Sequence, residues 1–357
     1  MTYYVDENIK NTERVFPGQG RYGKKRYDMN ENPEGLPKEF VDSVLKEITP
    51  EYLSIYPEPD RFLHKYADFV GHGVKFENVT AANGSDMAIR YILETFGEKG
   101  KDVVTVSPSF EMYWVNCSIL GLNHVPVAYE DDLTISADKI LDAIGENTRI
   151  VVLLNPNNPV GNVYSSEDIE RIIAKAKTVG AVVLIDEAYH YFCETTFLPY
   201  AMSEDNVIIL RTFSKLMSIA ACRLGVIISS PEIIHYIKNA KMTFEVNAIA
   251  LLFAERLVER PDLVESLIKT EREGKEYILR RLTEEGYWTR NCIGNFIFIR
   301  PKSDPHELTK LLEEKYDVLV HPYGNELLKD FIRVTTGSKR SMDIFLDAFL
   351  EAEKLAE

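Results

Sequence analysis

Five short apolar runs, at residues 103–106, 150–154, 182–185, 207–210 and 226–228, alternate with stretches of helical periodicity. Their side chains are β-branched or aliphatic at successive positions, so a strand built from any of them is apolar on both faces, as a parallel sheet covered by helices requires. Between them Ile169, Ile172, Ile173 and Ala176 mark one helical face, ended by Gly180. This alternation predicts an α/β fold whose large domain has a mostly parallel central sheet between helices. After about residue 250 the texture changes to long charged helices, apolar strands at 295–299 and 331–335, and a last helix with Ile344, Phe345, Ala348, Phe349 and Ala352 on one side. That segment reads as a smaller α+β domain, and a chain of 357 residues exceeds the usual single core.

Ligands in such sheets bind outside the carboxyl ends of strands, and three of the chain's four polar motifs directly follow or end an apolar run. The four are Asn83-Gly84-Ser85-Asp86, Asn155-Pro156-Asn157-Asn158-Pro159-Val160-Gly161, Asp186-Glu187-Ala188-Tyr189, and Thr212-Phe213-Ser214-Lys215 followed by Arg223. Together they offer an amine, a carboxylate, hydrogen-bond donors and an anion cradle, which are the groups that pyridoxal 5'-phosphate needs for its aldehyde, pyridine nitrogen, phenolate oxygen and phosphate. In this order and spacing the motifs resemble those of the fold type I, class I/II aminotransferases, most closely the histidinol-phosphate aminotransferase branch. The resemblance runs from about Asn30 to Thr336.

Lys215 follows an apolar strand and stands where that family has its Schiff-base lysine, which also serves as general base. Asp186 ends a strand, where a carboxylate can be buried against a protonated pyridine nitrogen. Tyr189 and Asn158 can donate to the phenolate oxygen and so lower the proton affinity of the Schiff base, and Ala188 is small enough to lie against the ring. Gly84, Ser85 and Asp86 precede Ile89, Ile92, Leu93 and Phe96, a helical series closed by Gly97, so they open a helix whose free N–H groups can hold a phosphate. Thr212 and Ser214 add hydroxyls, and Arg223 adds a charge with bidentate geometry.

Further residues are assigned by the resemblance alone. It implies that Phe110 stacks on the cofactor ring, although plain core packing would also account for it. Tyr56 would reach the cofactor phosphate of a neighbouring subunit, making the protein a homodimer with shared active sites. Arg333 would fork onto the substrate anion, and Asn30 and Glu31 would line the substrate side. The resemblance also divides the chain into an arm (1–28), a small domain (29–45 and 251–357) and a large cofactor-binding domain (46–250). Two departures bear on the substrate: His321 stands where the family usually has an arginine, and Val15 where it tends to have a tyrosine, both of which help hold a substrate phosphate. Histidinol phosphate is therefore expected to be a poor substrate, improving below about pH 6.5, where an unperturbed histidine is charged. Val160 replaces the usual threonine of Asn-Pro-Thr-Gly.

Composition removes several other classes. A formal charge of −15 argues against nucleic acid or an anionic membrane as partner. The chain lacks an apolar run of membrane-spanning length, and its first residues lack the features of a signal peptide, so the cytoplasm is the expected location. The cysteines, Cys117, Cys193, Cys222 and Cys292, and the seven histidines show no metal-ligand spacing, so no metal is expected. Gly18-Gln19-Gly20-Arg21-Tyr22-Gly23 fits a dinucleotide pattern, but its polar and basic flanks make it a flexible arm. The expected activity is transfer of an amino group from histidinol phosphate, an aromatic amino acid or a related amine to a 2-oxo acid such as 2-oxoglutarate. A decarboxylase of the threonine-phosphate type is the enzymatic alternative, and a non-catalytic regulator is disfavoured because no DNA-binding segment precedes the motifs.

Overall fold

The computed structural model describes residues 3–356 except Glu13, Val15 and Pro17, so the Val15 substitution lies outside the described residues. Seven strands form the main sheet: β1 Val79–Asn83, β2 Asp102–Ser107, β3 Asn123–Ala128, β4 Thr148–Leu154, β5 Val182–Asp186, β6 Val207–Thr212 and β7 Leu224–Ser229. Their order is β1-β7-β6-β5-β4-β2-β3. The run from β6 to β3 is parallel, whereas β7 is antiparallel to both its neighbours. The expected apolar runs all lie in strands, and the mostly parallel central sheet is as predicted. β1 and β3 went unpredicted: β1 is Ala-rich, and β3 is an edge strand in which only Val127 is fully buried.

Strand direction brings the motifs together. β1, β4, β5 and β6 end at one edge of the sheet, and the antiparallel β7 begins there. Asn83 pairs with Leu224, Thr212 with Gly225 and Leu154 with Asp186 in the strand register. The helix after the Asn155–Gly161 loop, Ser166–Thr178, is capped by the Ser165 side chain and buries Ile169, Ile172, Ile173 and Ala176. Each isoleucine so covered contributes roughly 1.5–3 kcal/mol relative to exposure. Helix α1, Gly84–Phe96, leaves β1 at the shared edge and buries Ile89, Ile92 and Leu93.

A second, antiparallel sheet contains β8 Trp288–Arg290, β9 Phe296–Arg300, β10 His321–Pro322 and β11 Ile332–Thr335, in the order β10-β11-β9-β8. Helices α2, Pro261–Glu284, and α3, Lys339–Ala356, pack with it. On α3 the buried face carries Phe345, Ala348, Phe349 and Ala352 as expected, joined by Met342 and Leu346, while Ile344 turns outward. Gly274 of α2 has no room for a side chain, because a Cβ there would lie 1.7 Å from the Gly337 carbonyl oxygen. From the other end of the chain, Lys25–Arg26 pairs in parallel with Val318–Leu319, and the buried Tyr27 donates from its hydroxyl to the Ser341 carbonyl at 2.8 Å. Phe40 and Val44 join the large core cluster, which takes in residues of both sheets, Phe296 and Phe298 among them. Among the described residues no helix is long and apolar enough to cross a membrane.

Among the described residues no strand leads into the Gly18–Gly23 segment and no helix opens directly after it, so it fits no dinucleotide loop. It is tied down through Arg21, whose guanidinium donates to both carboxylate oxygens of Asp28 and of Glu31 at 2.6–3.2 Å.

Candidate active site

At the shared sheet edge a cavity of about 160 Å³ is lined by side chains from all four motifs, among them Asp86, Asn158, Asp186, Tyr189, Lys215 and Arg223, and by Phe110. Asp186 is 3% exposed. Its Oδ2 accepts from the Tyr113 hydroxyl at 2.7 Å and its Oδ1 from the Ala188 N–H at 3.0 Å. Burial nevertheless pushes its pKa up to about 6, because two neutral donors only partly offset the loss of water around the charge. A cation in the cavity would restore the ionised form.

Lys215 follows β6 and donates from Nζ to the Met29 carbonyl at 2.8 Å. Burial and then the Arg333 charge push its pKa down to about 8, against the pull of Glu31 and Asp86. At pH 7 roughly a tenth of such an amine is neutral, against well under a thousandth at the ordinary lysine value. A buried amine with that neutral fraction is a competent nucleophile toward an aldehyde.

The phosphate-type cradle lies at the start of α1. Asn83 provides no side-chain cap, so the first-turn N–H groups are left for another acceptor. Gly84 is left-handed, and a Cβ on it would lie 2.5 Å from Arg223 Nη2, so only glycine lets the guanidinium lie against the helix start. Arg223 reaches Ser214 Oγ at 3.4 Å and Asp86 Oδ2 at 3.0 Å. Asp86 thus orients Arg223 through its carboxylate and has only its backbone N–H to offer an anion.

Behind Asn158, which lines the cavity, Arg333 of β11 is 8% exposed. It donates to Asn158 Oδ1 at 2.7 Å and to the Asp28 carbonyl, while its Nε is buried without a partner. With its carbonyl taken by Arg333, Asn158 has its amide N–H groups left for the cavity. Beside Arg333, burial holds the Tyr323 phenol up at about 12. Glu31 is engaged by Arg21, and its carboxyl lies below the ordinary value: burial raises it, but the Arg21 hydrogen bonds and charge prevail.

The sequence model of the family described as "Aminotransferase class I and II" matches residues 28–349. The chain belongs to that family. Its cofactor is pyridoxal 5'-phosphate. The histidinol-phosphate aminotransferase of Clostridium novyi is 31% identical over 330 residues, covering 91% of each chain. Among solved structures, the histidinol-phosphate aminotransferase from Sinorhizobium meliloti in complex with pyridoxal-5'-phosphate superimposes with a TM-score of 0.86 at 22% identity over the whole of both chains. The N-succinyldiaminopimelate aminotransferase of Mycobacterium tuberculosis gives 0.80 at 22% identity, covering 94% of each. The threonine-phosphate decarboxylase alternative finds no support in these comparisons.

The donor set of this aminotransferase fits the cofactor. One half-buried amine, one buried carboxylate, a phenol, and a helix start carrying a guanidinium converge on a single cavity, and each matches one functional group of the coenzyme.

Three further expected residues lie away from the cavity lining. Asn30 is 1% exposed and bonds Tyr189, so it belongs to the wall behind the cavity rather than to an open substrate face. Tyr56 is 73% exposed and stacks on Phe244 at 4.4 Å, outside this chain's cavity. His321 pairs with Arg333 across β10 and β11. Partial desolvation and the Arg333 charge hold the imidazole below its ordinary pKa, although the residue keeps an exposed edge. The expectation that it becomes charged near pH 6.5 is therefore corrected: it is neutral there. Sequence reasoning also missed Tyr113, in the first turn of the helix Met112–Leu120, and the buried Glu187–Arg211 pair.

Proposed function

We propose that this aminotransferase acts on an amine bearing a distal or α anion, of the histidinol-phosphate or aromatic amino acid kind, with 2-oxoglutarate or a similar 2-oxo acid as acceptor. The observation that carries this reading is the buried Arg333 guanidinium, held by the cavity residue Asn158 and by the Asp28 carbonyl, with an unpartnered Nε. A buried fixed cation with a spare donor suits a substrate carboxylate or phosphate. The name of the Clostridium novyi relative supports histidinol phosphate as one candidate.

In this reading Lys215 bears the cofactor covalently and then moves the proton at the substrate carbon through Nζ. Asp186, kept in place by Tyr113, holds the pyridine nitrogen protonated. Tyr189 and Asn158 donate to the phenolate oxygen, and Phe110 and Ala188 flank the ring. Gly84, Ser85 and Asp86 through their N–H groups, with Thr212, Ser214 and Arg223, hold the phosphate. When bound, the cofactor supplies the electron sink that makes the substrate carbon acidic. Incubating the holoenzyme with a panel of amines and 2-oxoglutarate, and following glutamate, tests the assignment; glutamate formation with none of the anionic amines would overturn it.

Substrate choice turns on residue 321. With a neutral histidine there, a substrate phosphate has Arg333 as its main charge partner. His321→Arg should improve KM for histidinol phosphate about ten- to a hundredfold, the worth of one charge-assisted bond of roughly 1.5–3 kcal/mol. The sign of the pH effect follows from the lowered imidazole pKa: protonation occurs only below the usual histidine range, so no affinity is gained between pH 8 and 6. Wild type and His321→Asn should have KM profiles of the same shape over that range. A wild-type affinity that climbs toward pH 6 while the asparagine variant stays flat would refute it.

The protein is further proposed to be a dimer with shared sites. Leu53, Ile55, Tyr56, Met242 and Phe244 are all more than half exposed, an apolar cluster suited to a subunit interface. If Tyr56 serves the neighbouring site, mixing Lys215→Ala subunits with Tyr56→Ala subunits gives heterodimers with one site of native composition. Random pairing should then restore about a quarter of wild-type activity. A fully active monomer in sedimentation would exclude the idea.

A further inference from the structure

Asn30 links Thr335 to Tyr189, and its hydrogen bonds fix the direction in which each group donates. Its N–H donates to Thr335 Oγ1 at 2.9 Å. The Thr335 hydroxyl, having accepted that bond, keeps its own proton to give, and Asn30 Oδ1 lies 3.2 Å away as the acceptor. The Asn30 carbonyl meanwhile accepts from Asn295 Nδ2 at 2.9 Å. With Oδ1 turned to Thr335, the end of the side chain that faces the Tyr189 hydroxyl, at 2.9 Å, is the NH₂ group. An amide NH₂ cannot accept, so the Tyr189 oxygen is the acceptor and its proton is left to point elsewhere.

Tyr189 borders the cavity, and Lys215 Nζ lies 5.8 Å from its ring centroid. We propose that Asn30 is a positioning residue that orients the Tyr189 hydroxyl as a donor into the cofactor cavity. This rests on the reading that Tyr189 donates to the cofactor's phenolate oxygen, and it assigns control of that donation to a residue 159 positions away. The backbone supports the same assignment. Asn30 is left-handed, with φ 56°, and 1% exposed. Gly, Asn and Asp are the residues that adopt this conformation most readily. Of these only asparagine presents both an acceptor to Thr335 and a donor to Tyr189. Burial also pushes the Tyr189 phenol up to about 12, so it keeps its proton at neutral pH.

The test uses Asn30→Asp, which tolerates the left-handed backbone and can still accept from Thr335, but faces Tyr189 with an acceptor that draws the phenol proton away. The readout is the pH midpoint of the visible absorption of the lysine-linked cofactor in the holoenzyme, for wild type, Asn30→Asp, Tyr189→Phe and the double variant. The charged groups around Lys215, namely Arg333, Glu31, Asp86 and Arg223, are common to all four proteins. Losing one donor to the phenolate should raise the midpoint by on the order of one pH unit. Each single variant is expected to show that rise, and the double variant no more than Tyr189→Phe alone. If the two shifts add, the aspartate acts by its charge and the proposal fails. No shift with Tyr189→Phe would instead sink the reading of Tyr189 itself. Should Asn30→Asp fail to fold, Asn30→Gly, which adopts the same backbone, enters the same cycle. Absence of coupling between it and Tyr189→Phe would overturn the positioning role.

Discussion

Lys215→Ala should retain cofactor yet lose turnover by several orders of magnitude. Loss of a general base alone costs roughly 10²–10⁴-fold, and this residue is also the nucleophile that tethers the coenzyme. Retention follows from the groups left in place: Asp186 with its Tyr113 and Ala188 donors, and Arg223 lying against Gly84 at the start of α1, do not depend on the lysine for their geometry. Borohydride reduction of the wild-type holoenzyme followed by peptide mapping should put the pyridoxyl group on Lys215. A label on any other lysine would remove the assignment. Lys241 and Lys275 are the informative competitors, since burial lowers both amines. Lys275, however, is committed to the Cys292 and Gly294 carbonyls, and Lys241 to Thr80 and Ala81.

The parts of this architecture that a reader of the sequence can find are those with a local physical signature. Strands 150–154, 182–185 and 207–210 are legible because a strand covered on both faces must be apolar at every position. Lys215, Asp186 and Arg223 are legible because the chemistry sits just past such strands. What stays hidden depends on register. Nothing in the residues of β7 reveals that it runs antiparallel, and β3, open along one edge, has an exposure pattern close to that of a loop. Tyr113 and Asp186 meet across 73 residues, and Asn30 and Tyr189 across 159. The depressed imidazole of His321 arises first from desolvation and then from the charge of its cross-strand neighbour Arg333, neither of which can be read from the unperturbed value. The Gly18–Gly23 segment likewise read as a loose arm, because the Asp28 and Glu31 partners of Arg21 could not be assigned before the turn was known.

The largest stability effect should come from the ion pair beneath the site. Glu187 directly follows Asp186 and is fully buried, and Arg211 directly precedes Thr212. Arg211 donates to Glu187 Oε2 through Nε at 3.0 Å and Nη2 at 2.8 Å. The Phe197 N–H at 2.6 Å and the Thr196 hydroxyl complete the carboxylate's partners. The pair cross-links the ends of β5 and β6, and after burial itself the Arg211 charge helps hold His190 well below the ordinary imidazole pKa. Glu187→Gln leaves a guanidinium buried without a counter-charge, which typically costs about 3–5 kcal/mol. Against a total stability of roughly 5–15 kcal/mol for a folded protein, that is a large fraction. Arg211→Lys should lie between the variant and wild type, because it restores charge without the forked geometry. Replacing both residues by methionine should recover much of the loss, since no charge then remains to be solvated. Urea midpoints measured with cofactor saturating in every sample separate this effect from weaker cofactor binding. Glu187→Gln unfolding within about 0.5 kcal/mol of wild type, the usual range for a surface change, would mean that the pair contributes nothing and that Asp186 and Thr212 are held by the sheet alone.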